Sequence, residues 1–138
     1  REEYMARSTQ EMTTALREAG EHLQRNLRAD SASLFEWAEM AGLSDSEQIA
    51  RLTVVTESFR ANADRIETGL AGADDLAPLD SILSEALDQL RKDTATVRSL
   101  VDLTETDEAR EALESLLTWI GKHAEWIETA MTQAENSS

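Results

Sequence analysis

The sequence predicts an all-α protein, an antiparallel up-down-up-down four-helix bundle formed by a single domain over residues 1–138. Apolar residues recur at spacings of three and four along nearly the whole chain, which is the pattern of amphipathic helices. One proline and five glycines leave little room for long connections between those helices. Long helices joined by short connections pack as antiparallel neighbours, and a chain of this length buries a core without metals or disulfides.

The first predicted helix covers residues 3–42, and its length leaves two alternatives open. Its apolar stripe consists of Met5, Met12, Ala15, Leu16, Ala19, Leu23 and Leu27. Beyond this stripe, Ser33 followed three residues later by Glu36 has the spacing of a capping box, which marks a helix start. The segment is therefore either one long helix bent near Asp30, or a long helix broken near Asp30 and followed by a short one that ends near Gly42.

The second predicted helix covers residues 45–70. Ser44 with Glu47 three residues later forms a capping box at its start, and the glycines of "GLAG" end it. Its apolar stripe consists of Ile49, Leu52, Phe59, Ala63, Ile66 and Leu70, with Val55 or Thr56 at the middle step. The β-branched run "LTVVT" favours a strand by propensity, but it lies within this longer helical period, so a helix is predicted.

The third predicted helix covers residues 77–102. Pro78 suits a first-turn position, where its missing amide N–H costs no hydrogen bond. The apolar stripe consists of Leu79, Leu83, Ala86, Leu90, Val97 and Leu100. Thr94 is the polar residue expected to interrupt this stripe.

The fourth predicted helix covers residues 106–135. Thr104 or Thr106 is placed to cap its N-terminal amides, and Asp107 and Glu108 favour the positive end of the helix dipole. The stripe is the clearest in the chain and consists of Ala109, Leu113, Leu116, Ile120, Ala124, Ile127, Met131 and Ala134.

The charge of the chain restricts its partners. Acidic residues number 28 against 13 basic ones, for a net charge of -15 at pH 7. Such a charge repels phosphate backbones and anionic lipid surfaces, so direct binding to nucleic acid or to membranes is disfavoured. It suits a basic partner protein, mimicry of nucleic acid, or solubility at high salt.

Cysteine is absent, and no apolar run approaches the roughly 18 residues of a membrane span. Disulfides, thiolate metal sites and cysteine nucleophiles are thereby excluded, and no metal site is predicted. The sequence favours a cytoplasmic location, while a signal or anchor upstream of Arg1 is the alternative.

The two histidines, His22 and His123, each follow a glycine by two positions. They flank the apolar stripes of the first and last helices, which are neighbours in this topology, so their rings are candidates to share one layer. Gly20 and Gly121 would then let the two backbones approach or make room for a flat cofactor. Axial ligation of haem by His22 and His123 is one hypothesis. The simpler interpretation is that both are packing residues whose ring nitrogens bond water or a carboxylate, and no other cofactor is predicted.

The last helix, with "EALESLLTWIGKHAEWIE", resembles helices of ferritin-like proteins. Such proteins bind two metal ions through Glu-x-x-His motifs on two helices. Here Ala19 and Ile120 stand three positions before the histidines, so the resemblance does not extend to the metal ligands.

The chain also contains no Gly-x-Ser-x-Gly elbow and no glycine-rich phosphate loop. We therefore predict that the protein is not an enzyme.

Trp119 and Trp126 are seven residues apart and therefore lie on one side of the last helix, with His123 between them. Because tryptophan is enriched at protein interfaces, these three residues are the predicted partner-binding set. The sequence thus favours a non-enzymatic interaction module, such as an adaptor, an inhibitor or immunity-type protein, or a regulatory subunit, that binds a basic protein. The alternatives are a ligand-binding or sensor bundle that holds haem or a small apolar molecule between its helices, and self-association with a second copy.

Overall fold

Four helices make up nearly all of the described chain. The computed structural model describes the backbone of residues 2–40, 42–43 and 45–137, and the side chains of residues 9–40, 42–43 and 45–133. The helices are α1 (Glu2–Met40), α2 (Ser46–Gly72), α3 (Leu76–Val101) and α4 (Asp107–Ser137). Every helix packs against at least two others, and these ranges contain no strand. The predicted all-α four-helix bundle is confirmed, with each helix boundary within two residues of its predicted position.

The first helix is continuous over 39 residues. The alternative of a break near Asp30, with a separate short helix after it, is therefore wrong. Leu34 and Ala38 are buried and extend the preceding apolar stripe across Asp30, so the same side of α1 faces the core before and after that residue. Gly42 follows the helix with a φ of 76°, a left-handed conformation that glycine adopts without strain.

Short polar side chains cap the starts of two helices. Asp45 accepts hydrogen bonds from the backbone amides two and three residues ahead of it, at 2.8 and 3.3 Å. Asp45 is thus the N-cap of α2 in place of the predicted Ser44, which lies outside the described residues. At the start of α4, Thr106 accepts a hydrogen bond from the amide of Ala109 at 3.2 Å, as expected for one of the two predicted caps.

An arginine from α1 holds the C-terminal end of α2. Arg17 Nη1 donates a hydrogen bond to the carbonyl of Leu70 at 2.8 Å, and Arg17 Nη2 donates to the carbonyl of Ala73. The last carbonyls of a helix have no partner within the helix, and they form the negative end of its dipole. The carbonyl of Leu70 also accepts from the amide of the cap residue Ala73, at 3.4 Å. The guanidinium therefore supplements this cap and fixes the end of α2 against α1.

The core lies between the four apolar stripes. The largest side chains that are fully buried are Leu16, Leu23, Leu27, Leu52, Phe59, Ile66, Leu79, Leu83, Leu90, Leu100, Leu113 and Ile120. The predicted stripe fails at the start of α2, where Ile49 is 38% exposed and Gln48 is buried instead. Gln48 is tolerated there because its side-chain amide donates a hydrogen bond to the carbonyl of Leu103 at 3.2 Å. Within the described ranges, no helix combines the length and the apolar character needed to cross a membrane.

Candidate functional site

All three tryptophans of the chain lie on α1 and α4, at the surface where these two helices meet. Trp119 is 56% exposed and Trp126 is 41% exposed, whereas Trp37 is half-buried. On α4, neighbouring residues such as Leu116 and Ile120 are buried in the core, and the two indoles lie at its edge. We call Trp37, Trp119 and Trp126 the tryptophan face.

A recess opens between the two helices within this face. It has a volume of about 240 Å³ and is lined by Asp30, Ser33, Leu34, Trp37, Ser115, Leu116 and Trp119. We call it the α1–α4 recess. Two indoles, two leucine side chains and two serines form its walls, and the one charged group among the lining residues is the Asp30 carboxylate.

Two further hollows adjoin the recess and share lining residues with it. One includes Trp37 and Ser115 together with Glu108 and Glu111. The other includes Trp119 and Ser115 together with Lys122. Including Asp30, the recess and its surroundings thus carry three carboxylates and one ammonium group. The charged groups that line this surface are thus mostly acidic, as are those of the whole chain.

The two histidines both reach across the boundary between α1 and α4, although each contacts a different kind of partner. His22 is exposed on α1, and its ring centroid lies 4.5 Å from the ring of Trp126 on α4, with the planes tilted by 57°. His123 is buried on α4, and its Nε2 lies 3.2 Å from Asp30 Oδ2 on α1. The ring of His123 also lies 5.3 Å from that of Trp119. Among the predicted partner-binding residues, Trp119 thus contacts the buried His123, and Trp126 contacts His22 of α1.

The geometry around the histidines constrains the haem hypothesis. Neither His22 nor His123 lines the α1–α4 recess or either adjoining hollow. An ionised carboxylate only accepts hydrogen bonds, so a bond between His123 and Asp30 requires the proton on Nε2. Nδ1 would then be the nitrogen of His123 that remains for an axial ligand. Haem ligation by His22 and His123 stays a prediction.

Gly20 and Gly121 were expected to let α1 and α4 approach or to make room for a flat cofactor, and Gly20 faces α2 instead of α4. A Cβ atom added to Gly20 would meet Leu70 Cδ1 of α2 at 3.2 Å, so Gly20 marks a close approach between α1 and α2. A Cβ atom added to Gly121 would meet nothing within 4 Å. Across the part of the chain that the structure describes, no three His, Cys, Asp or Glu side chains come together to hold a metal ion.

A second polar cluster, which the sequence interpretation missed, lies between α2 and α3. Asp93 is only 3% exposed, and it accepts hydrogen bonds from Ser58 Oγ at 3.0 Å and from Gln89 Nε2 at 3.3 Å. Gln89 Nε2 also donates to Ser58 Oγ at 2.7 Å. Burial raises the pKa of Asp93 from 3.8 to about 6, and the hydrogen bonds from Ser58 and Gln89 oppose this rise.

One turn along α2 from Ser58, Asn62 is fully buried. Its Nδ2 donates to the carbonyl of Ala86 at 3.2 Å, and its Oδ1 has no hydrogen-bond partner among the described residues. We call Ser58, Asn62, Gln89 and Asp93 the polar row. None of its members lines the recess or the adjoining hollows, so the row is not a part of that surface.

The sequence contains a signal for Asp93 that the predicted stripe misassigned. Leu90 and Val97 are seven residues apart, and a helical stripe needs one intermediate position, at either residue 93 or residue 94. We expected Thr94 to occupy this position, but Asp93 is buried there and Thr94 is only half-buried. The hydroxyl of Thr94 bonds to the carbonyl of Leu90 within its own helix, at 2.8 Å. Asp93 is therefore the buried polar residue of α3.

We compared the chain with known protein families, curated proteins and solved structures. No protein-family model, no curated protein and no solved structure matches this chain.

Proposed function

We propose that this protein is a non-enzymatic interaction module that binds another, basic, protein through the tryptophan face. The observation that carries the proposal is the placement of all three tryptophans at the boundary of α1 and α4, with Trp119 56% exposed and Trp126 41% exposed. Tryptophan is the residue type most enriched among those that dominate binding energy at interfaces. An exposed indole also leaves apolar area in contact with water, which a partner would cover.

The charge of the chain supports the choice of a basic partner. The net charge is -15, and carboxylates of Asp30, Glu108 and Glu111 lie at the recess or in the adjoining hollow. Complementary charge accelerates association and excludes acidic competitors, while buried aromatic groups supply most of the affinity. An adaptor, an inhibitor or immunity-type protein, and a regulatory subunit all act in this way.

Affinity capture with matched variants tests the proposal. The whole chain is immobilised as wild type, as the double variant Trp119→Ala with Trp126→Ala, and as Val54→Ala. Val54 is a control because it is 58% exposed on α2, away from the tryptophan face. We expect the wild type and Val54→Ala to retain the same basic protein from a lysate of the source organism, and the double variant to retain at least about tenfold less. Equal retention by all three chains, or retention that high salt does not weaken, would contradict the proposal.

A second candidate function is the binding of a small apolar molecule in the α1–α4 recess. The observation in its favour is the recess itself, because Leu34, Leu116 and two indoles form most of its lining. Its volume of about 240 Å³ is below the roughly 300–1,000 Å³ of typical small-molecule sites, which favours a single side chain of a partner over a whole ligand. Haem ligation by His22 and His123, which do not line the recess, is a separate hypothesis. It is tested by titration with haem, where a sharp Soret band that is lost in His22→Ala or His123→Ala would support it.

A further inference from the structure

We propose that the α1–α4 recess binds the guanidinium group of an arginine side chain, held between Trp37 and Trp119 and paired with the free oxygen of Asp30. This inference deepens the proposed function and rests on it, since the arginine would belong to the basic partner. It specifies which chemical group of that partner enters the recess.

The first argument is the combination of groups that line the recess. Trp37 and Trp119 contribute indoles from opposite helices, and Asp30 contributes a carboxylate. The faces of aromatic rings carry negative electrostatic potential and attract cations, with tryptophan the strongest of them. A neutral apolar ligand would use the indoles and leave the carboxylate to be desolvated without compensation. A cation uses both kinds of group.

The second argument is the state of Asp30. Its Oδ2 bonds to His123 Nε2 at 3.2 Å, whereas its Oδ1 has no hydrogen-bond partner among the described residues. The side chain of Asp30 is 28% exposed and that of His123 is 9% exposed. The buried imidazole therefore positions the carboxylate at the recess, and one carboxylate oxygen remains available to an incoming donor.

The third argument selects guanidinium from among organic cations. A guanidinium group is planar, stacks on aromatic rings and is less strongly hydrated than an ammonium group. A recess of about 240 Å³ between two indoles suits a flat group with a short apolar stem. Glu108 and Glu111 in the adjoining hollow would meet further basic residues of the same partner segment.

Titration with single-residue probes tests the inference without the partner. The probes are Nα-acetyl-arginine amide and its neutral isostere Nα-acetyl-citrulline amide, and the readout is the indole N–H signals of the full-length chain in NMR spectra. We expect the arginine probe to shift the signals of Trp37 and Trp119 in a saturable manner, while the citrulline probe shifts neither. Trp126 does not line the recess and serves as an internal reference. The inference fails if both probes act equally, if neither acts, or if the arginine probe shifts Trp126 alone.

Two variants and one control locate the binding groups. Asp30→Asn removes the charge and preserves the shape, and Trp119→Leu removes an exposed indole; each should weaken arginine binding by roughly fivefold. Asp64→Asn removes an exposed carboxylate that pairs with Arg28 on another side of the bundle, and it should leave binding unchanged. Unchanged binding in both Asp30→Asn and Trp119→Leu would overturn the inference.

These results separate the inference from the proposed function. If a basic protein is captured through the tryptophan face while the arginine probe does not bind, only the assignment of the recess is wrong. If the arginine probe binds as expected while capture does not depend on Trp119 and Trp126, only the proposed function is wrong.

Discussion

Replacing Asp93 with asparagine should stabilise the protein at neutral pH, and this gain should disappear in acid. Asp93 is 3% exposed between α2 and α3, where its carboxylate accepts hydrogen bonds from Ser58 and Gln89. Burial raises the pKa of Asp93 from 3.8 to about 6, because the charged form loses its hydration and the two hydrogen bonds offset only part of the loss. An asparagine has nearly the same shape and never carries the charge.

The direction of the effect follows from proton linkage. Between pH 3.8 and about 6, the folded protein retains a proton on Asp93 that the unfolded chain has released. The free energy of unfolding therefore falls as the pH rises through this window. One pKa unit corresponds to about 1.36 kcal/mol, so ionisation of Asp93 lowers the stability at neutral pH by up to about 3 kcal/mol relative to acid. The Asp93→Asn variant lacks this contribution.

Urea denaturation followed by circular dichroism measures the difference. Wild type and Asp93→Asn are unfolded at closely spaced pH values and constant salt, so that the pH dependence of the other carboxylates cancels. The difference in unfolding free energy should change by about 2–3 kcal/mol across the window, in favour of the variant at higher pH. Asp88→Asn is a control on the same helix, where the side chain is 69% exposed, and its difference should change by less than about 0.5 kcal/mol. A difference for Asp93→Asn that does not vary with pH, or that increasingly favours wild type, would refute the reasoning.

Three further predictions concern backbone and cap positions, and thermal unfolding measures each of them. Gly121→Ala should raise the free energy of unfolding by about 0.5–1 kcal/mol, because Gly121 lies within α4 and an added Cβ meets nothing within 4 Å. Gly69→Ala should instead lower it by about 1 kcal/mol, since the added Cβ would lie 2.7 Å from Ile82 Cδ1; equal gains at both glycines would contradict the packing described here. Arg17→Met should lower it by about 1–2 kcal/mol, since the carbonyl of Ala73 loses its side-chain donor and the carbonyl of Leu70 keeps only the amide of Ala73 at 3.4 Å; an unchanged melting temperature would count against that cap.

The fold was predictable because the apolar period identifies the helices, while capping residues, glycine and proline mark where they begin and end. The exceptions occur where two adjacent positions compete for one buried place. At the start of α2, Gln48 is buried and Ile49 is exposed, because the carbonyl of Leu103 offers the amide a partner. In α3, Asp93 is buried in place of Thr94, because Ser58 and Gln89 supply donors. Both outcomes depend on hydrogen-bond partners outside the helix concerned. The spacing of apolar residues within one helix carries no information about those partners.

The candidate site was predictable only in the half that α4 contributes. Trp119, His123 and Trp126 share one side of a helix by spacing alone. The contributions of Trp37 and Asp30 depend on how far α1 is shifted along α4, and on whether α1 continues past Asp30 as one helix. Side-chain packing between the helices determines both, and no local motif in the sequence marks them.

The distribution of tryptophan has an optical consequence. Since α2 and α3 contain no tryptophan, the intrinsic fluorescence of the protein originates entirely from α1 and α4. Emission reports the hydration of that boundary, whereas circular dichroism reports all four helices together. If the two signals change at the same urea concentration, the bundle unfolds as one cooperative unit. If emission changes first, α1 and α4 separate while the helices remain formed, and fluorescence can then record the opening of the binding surface by itself.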